Sequence, residues 1–184
     1  MTWILTHSGL QFDLLQPKAD AVRTTDIAHA LARLCRFNGH VENHYSVAEH
    51  SLRVARLVPA QHRLAALLHD ATEAYVGDMV RPLKQVMPNY QHIEQSIWRA
   101  ICSHLDLDPV LPKCVHQADM IMLATERRDL MPPLPGQWDC LDGITPLQER
   151  ITPMTAQHAK WAFHAQLMEL LATTHRAKVA GGAQ

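Results

Sequence analysis

Five apolar residues, Leu64 to Leu68, run straight into His69 and Asp70, and Ala71 follows. The stretch LAALLHDATEAY (64–75) has the composition of a helix buried over much of its surface. A carboxylate beside such a run costs several kcal/mol unless it is paired or bound to a cation. The fold must therefore bring positive charge to Asp70 inside the protein. His69 and Asp70 point about 100° apart on a helix, near enough for both to reach one ion. Glu73 lies at i+4 from His69 and i+3 from Asp70, so it projects from the same side one turn along. A general acid/base, or a carboxylate bracing the ligands of an ion, belongs at that place.

Two further segments repeat the pattern. Asp119 heads Met120-Ile121-Met122-Leu123 within QADMIMLATERRDL (117–130), again a carboxylate at an apolar helix face. In SVAEHSLRVARLV (46–58), His50 falls at i+3 from Val47 and i−4 from Val54. Each of these residues taken alone reads as an ordinary hydrogen-bonded side chain, in a chain with 13 histidines. Together, His50, His69, Asp70 and Asp119 offer two imidazoles and two carboxylates from three helices. That donor set suits a first-row divalent metal with open water positions, which would acidify its water.

The rest of the chain reads as mainly α, one domain over 1–184, with a small N-terminal β-hairpin. WILTHSGLQFDLL (3–15) gives two short strands about Ser8-Gly9, within a hairpin unit 1–16. Thr25 is read as the N-cap of a helix through Ile27, Leu31 and Leu34, stopping near Asn38-Gly39. Ser46, with Glu49 three residues on, has the spacing of a capping box. Residues 60–77 are expected to form one helix, ending at Gly77. Residues 78–89 are expected to be a loop or short helix. Longer helices follow over Tyr90–Leu105 and Lys113 to about Met131. The Pro/Gly-rich segment 132–146 is long enough to be a lid. Thr155 caps a last helix through about Thr173, and 177–184 is expected to be a flexible tail. Trp98, Trp138 and Trp161 are read as packing residues, with Trp138 also able to cover a base.

Composition excludes several classes. Lys plus Arg number 17 and Asp plus Glu 18, a net charge of −1, so no global basic field holds a nucleic-acid backbone. No apolar run reaches the roughly 18 residues of a membrane span. The start MTWILTHSG lacks the features of a signal peptide. Cys35, Cys102, Cys114 and Cys140 form no CxxC pair, which argues against a disulfide framework or zinc knuckle and fits a cytoplasmic protein. The phosphate-loop, serine-hydrolase, zinc-protease and nucleobase-deaminase motifs are absent.

The segments RFNGH (36–40), YSVAEHS (45–51), LLHDATEAYVGDMVRPLK (67–84) and ADMIMLATERRDL (118–130), in this order, resemble the HD-domain metal-dependent phosphohydrolases. The likeness is to their small bacterial and phage members that act on deoxynucleotides: 5'-deoxynucleotidases, prophage-type HD hydrolases and enzymes that strip triphosphate from dATP. The resemblance implies a single HD-domain helical fold with His50, His69, Asp70 and Asp119 as metal ligands. It implies Glu73 as the carboxylate that positions or deprotonates the attacking water, and Asp78 as a proton donor to the leaving group or a hold on the sugar. Arg36 would contact phosphate, Phe37 would pack on the sugar, and Arg81 and Lys84 would add phosphate contacts. The deoxynucleotidases commonly carry Trp where Phe37 stands. His44 competes with His50 as the first ligand. His50 is preferred because it lies on the helix, inside the VAEHS segment.

The function expected is therefore hydrolysis of a deoxynucleotide at the α-phosphate, releasing phosphate from a dNMP or triphosphate from a dNTP, dATP among them. The cofactor would be a divalent metal (Zn, Co or Mn, or Mg), and the partners a nucleotide substrate and further copies of the chain in a homo-oligomer. The rivals are a phosphodiesterase of cyclic or linear nucleotides and a non-catalytic nucleotide or metal sensor on the same scaffold.

Overall fold

The computed structural model describes residues 1–133, 136 and 138–181, with side chains through residue 176. Strands β1 (Trp3–Leu5) and β2 (Gln11–Asp13) pair antiparallel, with Ile4 opposite Phe12. Gly9, at φ 83°, turns the chain between them, a conformation that costs glycine little. Phe12 alone of β2 is buried, and its ring stacks on Tyr75 with centroids 3.9 Å apart. The hairpin is also tied to the helical body where Ser8 donates N–H and O–H to Asp26, at 2.8 and 2.7 Å.

Helix α1 spans Thr24–Leu31 and α2 spans Val47–Arg56. Thr25 is not the N-cap of α1. The helix begins one residue earlier, Arg23 is its cap, and no side chain caps it. Leu34 lies beyond its end. The capping box of α2 is present, with Glu49 N–H donating to Ser46 Oγ at 3.1 Å. Between α1 and α2 the backbone makes a tight turn at Arg36–Gly39. Phe37, Asn38 and Gly39 all adopt positive φ there (56°, 52° and 79°).

The helix expected over 60–77 is divided. A single turn at Ala60–His62 leads into α3 (Arg63–Leu68), and α4 (Glu73–Val76) follows. His69 and Thr72 keep helical dihedrals. The hydrogen bonds between them tighten to the i→i−3 pattern: Ala71 N–H to Leu68 O at 2.9 Å, Glu73 N–H to Asp70 O at 3.0 Å. In such a turn, residues three apart eclipse one another. Asp70 and Glu73 are three apart, so the tightening itself aligns the two carboxyls. Gly77, at φ 82°, ends α4 by donating N–H to Glu73 O at 2.8 Å.

Short α5 (Arg81–Lys84) precedes the long helices α6 (Pro88–Leu105), α7 (Lys113–Leu130) and α8 (Ala156–Gly181). Thr155 does cap α8, accepting from His158 N–H at 3.2 Å. That helix runs through Gly181 rather than ending near Thr173, so most of the expected tail is helical, and residues 182–184 lie outside the described residues. Helix α2 is central: it packs on α3, α7 and α8. Ile27, Leu31, Leu52, Leu67, Leu68, Ile97, Ile101, Met122, Phe163 and Leu167 are fully buried in one core. In the segment read as a lid, a turn at Asp139–Leu141 buries Leu141 against Met120 and Ala124 of α7, with Trp138 packed alongside. Residues 134, 135 and 137 of that segment lie outside the described residues. Trp98 packs at the core's edge and donates to Pro109 O at 2.8 Å. Trp161, by contrast, is not a packing residue: it is 66% exposed on α8. Among the described residues no helix is long and apolar enough to cross a membrane.

Candidate metal centre

Helices α2 and α7 and the tight turn after α3 meet at one point. Helix α2 brings His50 there with no exposure at all. The turn brings His69 and Asp70, and α7 brings Asp119. His50 Nε2 lies 3.4 Å from His69 Nε2, 3.5 Å from Asp70 Oδ2 and 3.3 Å from Asp119 Oδ1. His69 Nε2 lies 3.2 Å from Asp70 Oδ2. One ligand atom from each of His50, His69 and Asp119 falls within 4.8 Å of the others. All four expected ligands are thus gathered. His44, the rival, is exposed, and its Nε2 lies 3.2 Å from Ala32 O instead.

The second nitrogen of each imidazole fixes which atom faces inward. His69 Nδ1 is 2.8 Å from Ala66 O, to which it donates. His50 Nδ1 is 2.6 Å from Glu126 Oε1. Both rings therefore turn Nε2 toward the centre, the arrangement metal-binding histidines use. Ligands about 2.1 Å from a metal and 90–109° apart sit about 3.0–3.4 Å from one another. Four of the pairs, at 3.2–3.5 Å, lie at or near that spacing, and His50, His69 and Asp119 all stay within 4.8 Å of one another. This cluster could hold a metal ion.

Charge balance points the same way. Among the described residues, five carboxyls surround the centre (Asp70, Glu73, Asp78, Asp119 and Glu126), and the guanidinium buried with them is that of Arg36. Arg36 Nε donates to Glu126 at 3.1 Å, and its Nη1 is 3.6 Å from Asp70. Burial opposes its charge, but Glu126, Asp70 and Asp78 outweigh this and hold its pKa above the ordinary arginine value. Burial and Arg36 likewise oppose a charge on His50. Glu126 and Asp119 win, and the imidazole is pushed up to about 9. Asp119 titrates well below the usual carboxylate range: its burial raises it, and His50, His69 and Arg36 more than reverse this.

Glu73 and Asp78 move the other way. Burial first, then Asp70 and Asp78, raise Glu73 well above its ordinary value, against Arg36 and Lys84. Its Oε2 is buried, with no hydrogen-bond partner among the described residues. Burial also raises Asp78, aided by Asp70 and Glu126 and opposed by Arg36. An unpartnered buried carboxyl oxygen beside a metal-type cluster is a free acceptor for a proton or a ligand.

The residues read as substrate contacts divide. Arg36 is at the centre. Phe37 follows it in a left-handed conformation that a bulky residue rarely adopts, a strain of the kind found at working sites. Its ring lies beneath the Arg36 guanidinium at 5.3 Å and faces Trp138 at 6.3 Å. Lys84 is committed to Glu94, at 2.6 Å. Arg81 is exposed, and its Nη1 lies 3.6 Å from Met120 Sδ, so this structure does not gather it with the other charged groups.

Glu126 is the residue the sequence reading missed. It is fully buried and holds both His50 and Arg36. Within ATERRDL it looks like part of a solvated charge run. The available signal was its spacing: it stands seven residues, two helical turns, after Asp119, on the same face of α7.

No family model matches this chain. Among curated proteins, an uncharacterized protein of Rhodobacter capsulatus is 38% identical over 126 residues, 63% of this chain and 64% of that protein. The uncharacterized protein YfdR of Escherichia coli is 39% identical over 171 residues, covering 92% of this chain and 96% of its own length. At that identity and coverage, the chain belongs to the same family as YfdR.

Proposed function

We propose that this chain is a metal-dependent phosphohydrolase of the HD type, acting on deoxynucleotides at the α-phosphorus. One observation carries the reading: two imidazole Nε2 atoms and two aspartates converge beside an unpartnered, buried Glu73 and a buried Arg36. Imidazole and carboxylate donors together suit Mn²⁺, Co²⁺ or Zn²⁺, with Mg²⁺ the harder alternative. A divalent ion held by His50, His69, Asp70 and Asp119 supplies a Lewis acid for a phosphoryl oxygen and for water.

The chain's own groups do the rest. Arg36 is pinned at Nε by Glu126 and offers its remaining N–H groups to a phosphate as charge-assisted donors. Glu73 takes a proton from the attacking water as the water oxygen bonds to phosphorus. Its elevated pKa makes it a stronger base than an ordinary glutamate once ionised. The bond between phosphorus and O5' breaks, and Asp78, whose own pKa is raised, gives its proton to O5'. The products are a deoxynucleoside and phosphate from a dNMP, or a deoxynucleoside and triphosphate from a dNTP. Phe37, held by its strained backbone against Arg36, packs on the sugar.

The test is a panel of dNMPs and dNTPs incubated with purified protein and Mn²⁺, Co²⁺ or Zn²⁺. Release of phosphate or triphosphate supports the proposal. Release of neither from any nucleotide overturns it. Glu73→Ala separates an enzyme from a sensor: it should abolish turnover and leave metal binding intact.

A further inference from the structure

The hairpin, α1 and α8 border a groove of about 700 Å³, lined by His7, Ser8, Thr25, Lys160, Trp161 and His164 among others. None of its residues belongs to the metal centre. The His7 and His29 rings stack face to face, with centroids 3.4 Å and planes 16° apart. Lys160 Nζ lies 3.4 Å from His29 Nδ1. His164 follows Lys160 by one turn on the same face of α8. Three groups able to carry positive charge, His7, Lys160 and His164, thus line one groove, with His29 stacked on His7.

Asp26, next to His29, is buried and takes two hydrogen bonds from Ser8. Burial, then Arg33, His7 and Lys160, hold His29 below the ordinary imidazole range, and Asp26 opposes them without reversing the result. His29 is thus a neutral acceptor for Lys160, and Lys160 with the imidazoles of His7 and His164 supplies the groove's polar groups. Trp161 forms one wall and is 66% exposed. A large flat ring left in water beside hydrogen-bond donors suits a planar partner with a polar end.

We propose that this groove is a second binding site, for a phosphate monoester, with Lys160, His7 and His164 holding the phosphate and Trp161 stacking on a planar group attached to it. Nucleoside monophosphates and inorganic phosphate share the anionic chemistry, and only the former use Trp161. The inference stands apart from hydrolysis at the metal centre.

The experiment uses the whole chain freed of metal by chelation, so that no substrate turns over. Inorganic phosphate, dAMP and deoxyadenosine are titrated in turn by calorimetry and by tryptophan fluorescence. Arg36 can also take phosphate, so the signal that counts is the part removed by Lys160→Glu. That variant should weaken phosphate and dAMP binding in the groove at least tenfold while its melting temperature stays at the wild-type value. Tighter binding of dAMP than of phosphate, with fluorescence quenching lost in Trp161→Phe, assigns the site to nucleotides. Equal affinities assign it to free phosphate. If neither anion binds, or if Lys160→Glu leaves binding unchanged, the site does not exist.

Discussion

The metal centre and the hairpin–α8 groove both bring imidazoles together, but at different depths and with different companions. At the centre, five carboxyls crowd around Arg36 and two imidazoles, and His50 and Glu126 have no exposure. At the groove, His7, His164 and Lys160 line an open surface, His29 stacks on His7, and the buried Asp26 carboxylate accepts from Ser8. Depth decides what each grouping means. Excess charge in a dry interior costs several kcal/mol and must be met by a resident partner. Excess charge at the surface is screened by water and salt, so a ligand can come and go. The centre could therefore hold a resident cation, whereas the anion proposed for the groove would exchange freely.

The strongest way to break this contrast is at Glu73. Glu73→Gln keeps the shape of the side chain and removes its ability to take a proton. If the centre works as proposed, turnover falls about a thousandfold, within the usual range for a general base, while calorimetry shows metal binding close to wild type. His7→Ala in the groove should leave turnover unchanged. Equal losses in both variants would mean that the two regions are not functionally separate.

Glu126 is the next largest lever. Glu126→Ala strips one partner from both His50 and Arg36 and leaves the buried guanidinium with Asp70, at 3.6 Å, and the charge of Asp78. Breaking a buried ion pair from one side costs about 3–5 kcal/mol, so urea unfolding of the metal-free variant should show a loss of about 3 kcal/mol. Metal affinity should fall about 10–100-fold, the usual effect of removing a carboxylate that orients a ligating histidine. A variant with wild-type stability would show that Glu126 braces neither group.

How far the sequence reaches is itself uneven between the two regions. His50, His69, Asp70 and Asp119 were legible because each is a polar group set in an apolar run, where only a bound or paired state is affordable. The capping box at Ser46 and the hairpin about Gly9 were legible because local chemistry alone specifies them. The tight turn at 69–72 was not, since its dihedrals stay helical and its apolar pattern continues across it; only the hydrogen-bond spacing changes. Glu126 hid among Arg127, Arg128 and Asp129, which lie in a mixed-charge run. The groove was invisible for another reason. His7, His29, Lys160 and His164 are drawn from three elements far apart in sequence, and nothing in the local pattern of any one of them marks a site.

Proton competition at His50 gives a smaller, graded effect. Its pKa is raised to about 9 in the metal-free fold from about 6.5 in an unfolded chain. The stabilisation from its ion pairs is thus fully present below about pH 6.5 and is lost as pH rises through about 9. A metal must displace that proton, so its affinity should rise about tenfold per pH unit from 7 toward 9 and then level off. Calorimetry in buffers of different ionisation enthalpy should count about one proton released at pH 7.5. A flat pH dependence would mean that His50 is already neutral.

The smallest effect compares the caps of the helices that carry the two regions. Ser46 opens α2, which bears His50, and is 1% exposed while accepting from Glu49 N–H. Thr155 opens α8, which bears Lys160 and Trp161, and is exposed, accepting from His158 N–H. Loss of a cap costs about 1 kcal/mol, but the orphaned N–H of the exposed His158 can turn to water, whereas that of Glu49 is sealed in the core. Ser46→Ala should therefore lower the unfolding free energy by about 1–2 kcal/mol, and Thr155→Ala by about half a kcal/mol. Denaturant titration of the two variants side by side measures the difference, and equal losses would mean that water reaches the start of α2.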